Sequence, residues 1–209
     1  MRIIEGDLVD LISPFPRHEL KRVFGWLYCY KSIIETDVFP KTPEEYEQQM
    51  LKVIPNVLSY AVIDKTNTTN HKHEAPLVGM FAFEPMSEWN AYIHLASSRS
   101  AWKKHLMDEA AELSINDVFK TQPFLRLSGF ILEENKPVRY MAKRMGWTYE
   151  ALLEDWVCQK DIPKNVIHYG FTRKKWLDST RPIKPEVQPA PTPDTVETIE
   201  EVQSNGILG

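Results

Sequence analysis

Apolar positions along this chain alternate between a helical and a strand-like period. Arg2 to Ile4 reads as a short opening strand. After Pro14 and Pro16, residues Leu20, Val23, Phe24, Leu27 and Ile34 recur at helical spacing, and Pro40 closes that unit. Thr42-Pro43-Glu44-Glu45 predicts a second helix start. Thr serves as cap, Pro takes the first position, where no N–H is needed, and two acids sit at the positive end. Val57 to Ile63 is rich in strand formers, and Lys65 to Glu74 is a polar connection. Leu77 to Phe83 and Trp89 to Leu95 predict two strands joined in a hairpin near Pro85-Met86-Ser87. One long helix is predicted from about Ser100 to Phe119, with Trp102, Leu106, Ala110 and Leu113 on one face and Ser98 as its cap. Phe124 to Leu132 reads as an apolar strand. Pro137 to Met145 reads as a short helix closed by Gly146, where a left-handed residue is wanted. Tyr149 to Val157 and Val166 to Thr172 complete the pattern. The order is β-αα-βββ-α-β-α-β-β, a mixed α/β domain over residues 1–175.

Residues 176–209 differ in kind. Five of the chain's 15 prolines fall between Pro182 and Pro193, which predicts an extended arm. Asp194 three residues before Glu197 resembles a capping box. Val196, Ile199 and Val202 form a thin apolar stripe over a short docking helix at 195–204, and Ile207 and Leu208 extend it. These five apolar residues are the expected contacts to a protein partner or neighbouring subunit; the alternative is a solvated acidic tail.

Charge sharpens that division. From Pro182 to Gly209 there is one base (Lys184) against five acids (Glu186, Asp194, Glu197, Glu200, Glu201), so this segment holds the whole formal charge of −4 and residues 1–181 sum to zero. A neutral body lacks the basic face of a general nucleic-acid binder, and no nucleic-acid partner is expected. The eight glycines are too scattered to write GxGxxG or GxxxxGK, which excludes the usual nucleotide phosphate cradles. Two cysteines, Cys29 and Cys158, build neither a disulfide scaffold nor a Cys-rich zinc site. Cys29, within an apolar helix, is expected to be buried and inert. No apolar leader or membrane-length run is present, so a reducing, cytoplasmic setting without membrane contact is expected.

The run Glu134-Asn135-Lys136-Pro137-Val138-Arg139-Tyr140-Met141-Ala142-Lys143-Arg144-Met145-Gly146-Trp147 carries a family likeness. Its spacing of Asn135 to Gly146 and Trp147, after a strand-helix-strand, resembles the GNAT family of acetyl-CoA-dependent N-acetyltransferases. The chain is also similar to divergent GNAT-like proteins of tailed bacteriophages. The resemblance covers about residues 1–173 and implies a GNAT-like, mostly antiparallel central sheet flanked by helices, here with a Pro-rich C-terminal arm. It implies acetyl-CoA wedged between the fourth and fifth strands, its pyrophosphate on backbone N–H groups in a Gln/Arg-x-x-Gly-x-Gly/Ala turn. That turn aligns with Arg99-Ser100-Ala101-Trp102-Lys103-Lys104. The Arg matches, while Trp102 and Lys104 stand where small residues belong.

The implied cofactor residues are therefore Arg99, Ser100, Lys103, Lys104, Asn135 and Arg139. In one reading the charges of Arg99, Lys103 and Lys104 replace the backbone grip; in the other, Trp102 is core and the lysines are a solvated face. The family often places an acidic Tyr seven residues after the Asn, where this chain has Ala142, leaving Tyr140 as a nearby substitute. His94 and Glu88, flanking the fourth strand of that count, are the candidate bases; His94 also fits a half-buried structural histidine. His71 and His73 lie in a polar loop without the further ligands a metal needs. Trp26, Tyr28 and Tyr30 line either a substrate groove or the core.

Two functions remain open on these grounds. One is an acetyl-CoA-dependent N-acetyltransferase with a glycine-free pyrophosphate loop. The other is a catalytically degenerate GNAT fold acting in assembly, as in a phage particle, with the arm docked on a partner. The absent glycines and the missing Tyr lean toward the second.

Overall fold

In the computed structural model the described residues are 1–29, 39–66, 76–103, 105–159 and 161–180, and the folded body spans Met1–Ser179. The docking stripe Val196, Ile199, Val202, Ile207 and Leu208, together with Lys104, Tyr30, His71 and His73, lies outside the described residues.

Among the described residues eight strands form one sheet: β1 (Arg2–Glu5), β2 (Val9–Ser13), β3 (Leu58–Asp64), β4 (Leu77–Pro85), β5 (Asn90–Ser97), β6 (Arg126–Leu132), β7 (Thr148–Gln159) and β8 (Ile162–Thr172). The described helices are α1 (Leu20–Cys29), α2 (Pro43–Val53), α3 (Arg99–Lys103), α4 (Leu106–Thr121), α5 (Lys136–Arg144) and α6 (Arg173–Thr180). Strand order is β1-β2-β3-β4-β5-β6-β8-β7, with every neighbouring pair antiparallel except β5 and β6. The architecture is α/β, a mostly antiparallel sheet flanked by helices, as the resemblance implies.

Period-two alternation divides the sheet's side chains between two cores. Met80, Ala82 and Ala96 pack with Leu20, Val23, Phe24 and Tyr46 beneath α1 and α2. Phe81, Phe83 and Leu127 pack with Leu106, Ala110, Val118 and Phe119 beneath α4. The larger apolar side chains among them, Leu, Val, Phe and Met, each contribute about 1.5–3 kcal/mol relative to exposure. Both predicted helix ends form. The Thr42 hydroxyl accepts from the Glu45 N–H at 3.1 Å, with Pro43 at the first position. Gly146 closes α5 with φ +76°, its N–H reaching the Lys143 carbonyl and that of Trp147 the Ala142 carbonyl.

Several expectations need correction. The long helix is two, because His105 takes a left-handed backbone (φ 55°, ψ 19°) between α3 and α4. Trp102 and Leu106 therefore do not share one helix face. Ala101, not Trp102, is the fully buried residue of α3. A second N-terminal strand, β2, joins β1 to β3 through Asp10, Leu11 and Ile12 and buries Val9, Leu11 and Ser13. Cys29 is exposed, since two residues past Leu27 is about 200° around a helix, away from the packed stripe. A sixth helix, α6, crosses residue 175 and buries Trp176 in the main core. At its start, the Arg173 guanidinium donates to the carbonyls of Phe119, Gln122 and, at 2.7 Å, Phe124, closing the C-terminal end of α4.

Candidate functional site

The site follows from the one parallel strand pair. β5 and β6 are in register at Asn90↔Arg126, Ala91↔Leu127 and Tyr92↔Ser128, and their pairing stops there. Beyond that point each strand continues on its other side: β5 stays with β4 up to Ser97, and β6 stays with β8 up to Leu132. The sheet thus splits into a wedge, and the backbone edges of Ile93–Ser97 and Gly129–Leu132 face each other without pairing. Such edges carry N–H and C=O groups ready for an extended partner.

A cavity of about 430 Å³ fills the wedge, within the ordinary range for small-molecule sites. It reaches both faces of the sheet. Leu27, Tyr46 and Met50 line it from the α1–α2 side, and Ala111, Ile115, Val138, Met141 and Ala142 from the α4–α5 side. Gly129 keeps one wall open, for a Cβ there would meet Ile93 Cγ2 at 3.5 Å and Trp147 Cζ3 at 3.6 Å. Polar groups are few: Glu84, Tyr92, His94, Asn135, Tyr46 and Tyr169. Burial pushes the Tyr46 phenol well above its ordinary pKa, so it stays protonated.

His94 belongs to this lining. Its Nε2 lies 2.8 Å from Glu84 Oε2, and its ring stands 4.3 Å from that of Tyr92. The pair follows from register: Ala82 faces His94 and Glu84 faces Tyr92, so Glu84 and His94 are diagonal neighbours on the α1–α2 face. A histidine oriented by a carboxylate beside an apolar cavity can accept a proton. The other two candidates sit elsewhere. Glu88 lies exposed in the turn between β4 and β5, at the paired end of the strands rather than in the wedge. Tyr140 points away on α5, 64% exposed, and is not part of the lining.

Of the residues expected to hold a cofactor, Arg99, Ser100, Asn135 and Arg139 lie at the other end of β5 and β6. Both strands run into helices at the open mouth of the wedge, β5 into α3 and β6, through Asn135, into α5. Asn135 caps α5, accepting from the Val138 N–H at 3.5 Å, and lines the cavity. Arg99 and Ser100 are exposed on α3, and Ser98 and Ser100 share a hydroxyl contact at 2.9 Å. Lys103 ends α3, and its side chain lies outside the described residues. Arg139 is turned back onto the Glu133 carbonyl at 2.5 Å. Arg144 is held by Asp108 at 2.7 and 2.8 Å, and the His105 ring meets that same carboxylate at 2.9 Å. In this connection the glycine-like backbone belongs to His105, one residue past the aligned turn; histidine is among the non-glycine residues that tolerate it. Trp26 is half buried against the α1–α2 core, and Tyr28 is exposed.

A second polar cluster lies farther along the α1–α2 face. His168 stacks on Phe130 at 4.5 Å and 8°, and its Nδ1 is 3.4 Å from Glu150, which also pairs with Arg126. Burial lowers the His168 pKa against the opposing pull of Glu150. Sequence reading missed Glu84, whose role depends on cross-strand register, and Tyr169, whose alternation with Ile167 and Phe171 signals only core. Among the described residues no cluster of three or more His, Cys, Asp or Glu side chains is arranged for a metal, and no helix is long and apolar enough to cross a membrane.

Residues 5–148 match the family model described as an acetyltransferase (GNAT) domain. The chain belongs to the GNAT acetyltransferase family. Solved GNAT structures agree in fold. The ribosomal-protein-S5-alanine acetyltransferase of Vibrio fischeri superposes with TM-score 0.67 at 12% identity, over 84% of this chain and 99% of its own. An acetyl transferase of Salmonella typhimurium that modifies the N-terminal serine of ribosomal protein L7/L12 gives 0.68 at 13%, over 82% and 99%. A ribosomal L7/L12 alpha-N-protein acetyltransferase in complex with coenzyme A gives 0.69 at 12%, over 83% and 99%. No curated protein matches the chain in sequence. The narrower likeness to phage-encoded GNAT proteins finds no support in these relatives.

Proposed function

We propose that this GNAT protein is an acetyltransferase, moving the acetyl group of acetyl-CoA to a primary amine, with a protein N-terminal amine as acceptor. The observation that carries the reading is the wedge between β5 and β6. An inactive relic would gain by closing those two strands, since burying unpaired backbone edges without a partner costs about 1–3 kcal/mol per group. An extended chain bearing amides satisfies the same edges.

The residues fit that substrate. Apolar walls suit its thin pantetheine portion, and the open mouth adjoins the starts of α3 and α5, where helix N–H groups and Arg99, Ser100 and Asn135 favour an anion. Acetyl-CoA supplies an activated thioester. The chain's part is to hold it, exclude water and take the proton from the attacking amine, for which the His94–Glu84 pair is placed. The acceptor class is suggested by relatives that act on ribosomal-protein N-termini. The assembly reading rests on the absent glycines, the missing Tyr at Ala142 and an arm that lies outside the described residues, and the relatives lend it no support.

Calorimetric titration of the full chain with acetyl-CoA tests the reading. Saturable binding with Kd between about 1 μM and 1 mM is expected, the usual range of enzyme–substrate affinities. Absence of binding at millimolar acetyl-CoA overturns it.

A further inference from the structure

Acyl transfer needs two proton movements. The amine must lose a proton, and the sulfur leaving the thioester must gain one. His94 and Glu84 answer the first need from the α1–α2 face. The phenols on that same face are Tyr92, beside the His94 ring at 4.3 Å, and Tyr46 of α2. The sulfur is expected from the other side, because α3 and α5, whose starts flank the mouth, pack through Ala101 and Met141 on the opposite face of the sheet. Along the cavity's α4–α5 wall, the described residues offer aliphatic side chains, Asn135, Trp147 and one phenol, Tyr169.

We infer that Tyr169 is the proton donor to the departing thiolate. This rests on the acetyltransferase reading above and assigns a residue to it. Tyr169 faces Gly129 across β6 and β8, at the level where β5 and β6 have parted. It is only 7% exposed, and its ring is fixed among Ala142, Ile131, Ile167 and Trp147, with Tyr149 edge-on at 6.2 Å. The small side chain of Ala142 leaves the phenol room on the α5 side. Of the other phenols this buried among the described residues, that of Tyr60 donates to Asp117 at 2.6 Å, and Tyr46 lines the cavity from the α1–α2 side, with the base. The Tyr169 hydroxyl meets no hydrogen-bond partner among the described residues, and it is absent from the sealed, unsatisfied polar atoms. A hydroxyl both unpaired and unsealed opens onto the cavity, where it is available to a ligand.

The step balances as follows. The amine nitrogen bonds to the thioester carbonyl carbon, and its surplus proton passes to the His94–Glu84 pair. The C–S bond breaks with both electrons on sulfur, and the Tyr169 Oη–H proton goes to that sulfur. The products are an amide and a free thiol, and the phenolate regains a proton from solvent.

Tyr169→Phe removes the hydroxyl and keeps the ring. Expected is a fall in kcat of about 10²-fold, a typical general-acid contribution, with the calorimetric Kd for acetyl-CoA within twofold of wild type. With S-4-nitrophenyl thioacetate as acyl donor, whose thiolate leaves without a proton, the two proteins should differ little. A fall of kcat at high pH is the expected outcome for wild type, and it should be absent from the variant. If the variant fails to fold, fluorotyrosine at position 169 keeps the test alive: its more acidic phenol should move the high-pH limb downward. A folded Tyr169→Phe protein with wild-type kcat, a loss equally large with the activated thioester, or a limb unmoved by fluorotyrosine overturns the assignment. Wild type that does not bind acetyl-CoA overturns the underlying function, before any variant is compared.

Discussion

Gly129 gives a direct handle on the wedge. It sits on β6 just past the last paired residue, and its missing side chain leaves the gap between Ile93 and Trp147 open. An added Cβ meets those neighbours at 3.5 and 3.6 Å, ordinary contact, and the backbone is not left-handed. Gly129→Ala therefore fits, and by restricting the unfolded chain it should stabilise by about 0.4–1 kcal/mol. Gly129→Leu is different, because its further carbons have only the cavity to enter. An occupant of the wedge must then overpack against them, at about 1–3 kcal/mol, which is about a 5- to 140-fold rise in Kd. Thermal melts and calorimetric titration with acetyl-CoA on the same three proteins read both effects. The expected pattern is a Leu variant that melts at or above wild type yet binds acetyl-CoA at least fivefold more weakly, with Ala between. A Leu variant that folds normally and binds with unchanged Kd would mean that the ligand does not pass Gly129, and the wedge reading would fail.

Two further outcomes follow from other parts of the body. Gly6→Ala would press its Cβ to 2.7 Å from the Val9 carbonyl and 2.6 Å from Leu113 Cδ1, whereas Gly25 in α1 has nothing within 4 Å. In urea unfolding the first should cost about 1–3 kcal/mol and the second gain about 0.5–1 kcal/mol, and a reversed order would refute the packing analysis. His168 has a folded pKa below its unfolded value near 6.5, so the unfolded chain takes up its proton first. Its contribution to stability is present above pH about 6.5 and declines as pH falls through that value toward the folded pKa. His168→Gln should flatten this part of the stability–pH curve, and an unchanged slope would show that the ring is not buried neutral.

Much of the framework could be read from local patterning, because alternation and capping are local properties. Thr42-Pro43 and Asn135 to Gly146 set helix ends by chemistry within four residues of the terminus, and β3 to β6 announce themselves by short runs of apolar strand formers. What escaped reading depends on partners distant in sequence. β2 is five residues against two prolines, and its strand character comes from pairing on both sides. α6 shows almost no apolar period, since Trp176 is its one buried anchor. The break at His105 carries no Gly or Pro to mark it. The site was legible to the extent that His94 and Asn135 line the cavity. Glu84 and Tyr169 were not, because register and splaying, not spacing along the chain, bring them to it.

The strand order has a consequence for how the molecule is made. β8, the last strand, lies inside the sheet between β6 and β7, and the anchors that close α4, Arg173 and Trp176, come after it. While the chain is being synthesised, β1 to β5 and their two helices can assemble in order from neighbouring hairpins. β6 emerges with one side open and waits some thirty residues for the strand that covers it. During that interval its apolar edge is a hazard of the kind that invites pairing with another nascent chain. The second half of the protein is thus bound to fold late and in one piece. Substitutions that slow β8 should reduce the yield of soluble protein well before they affect the finished molecule.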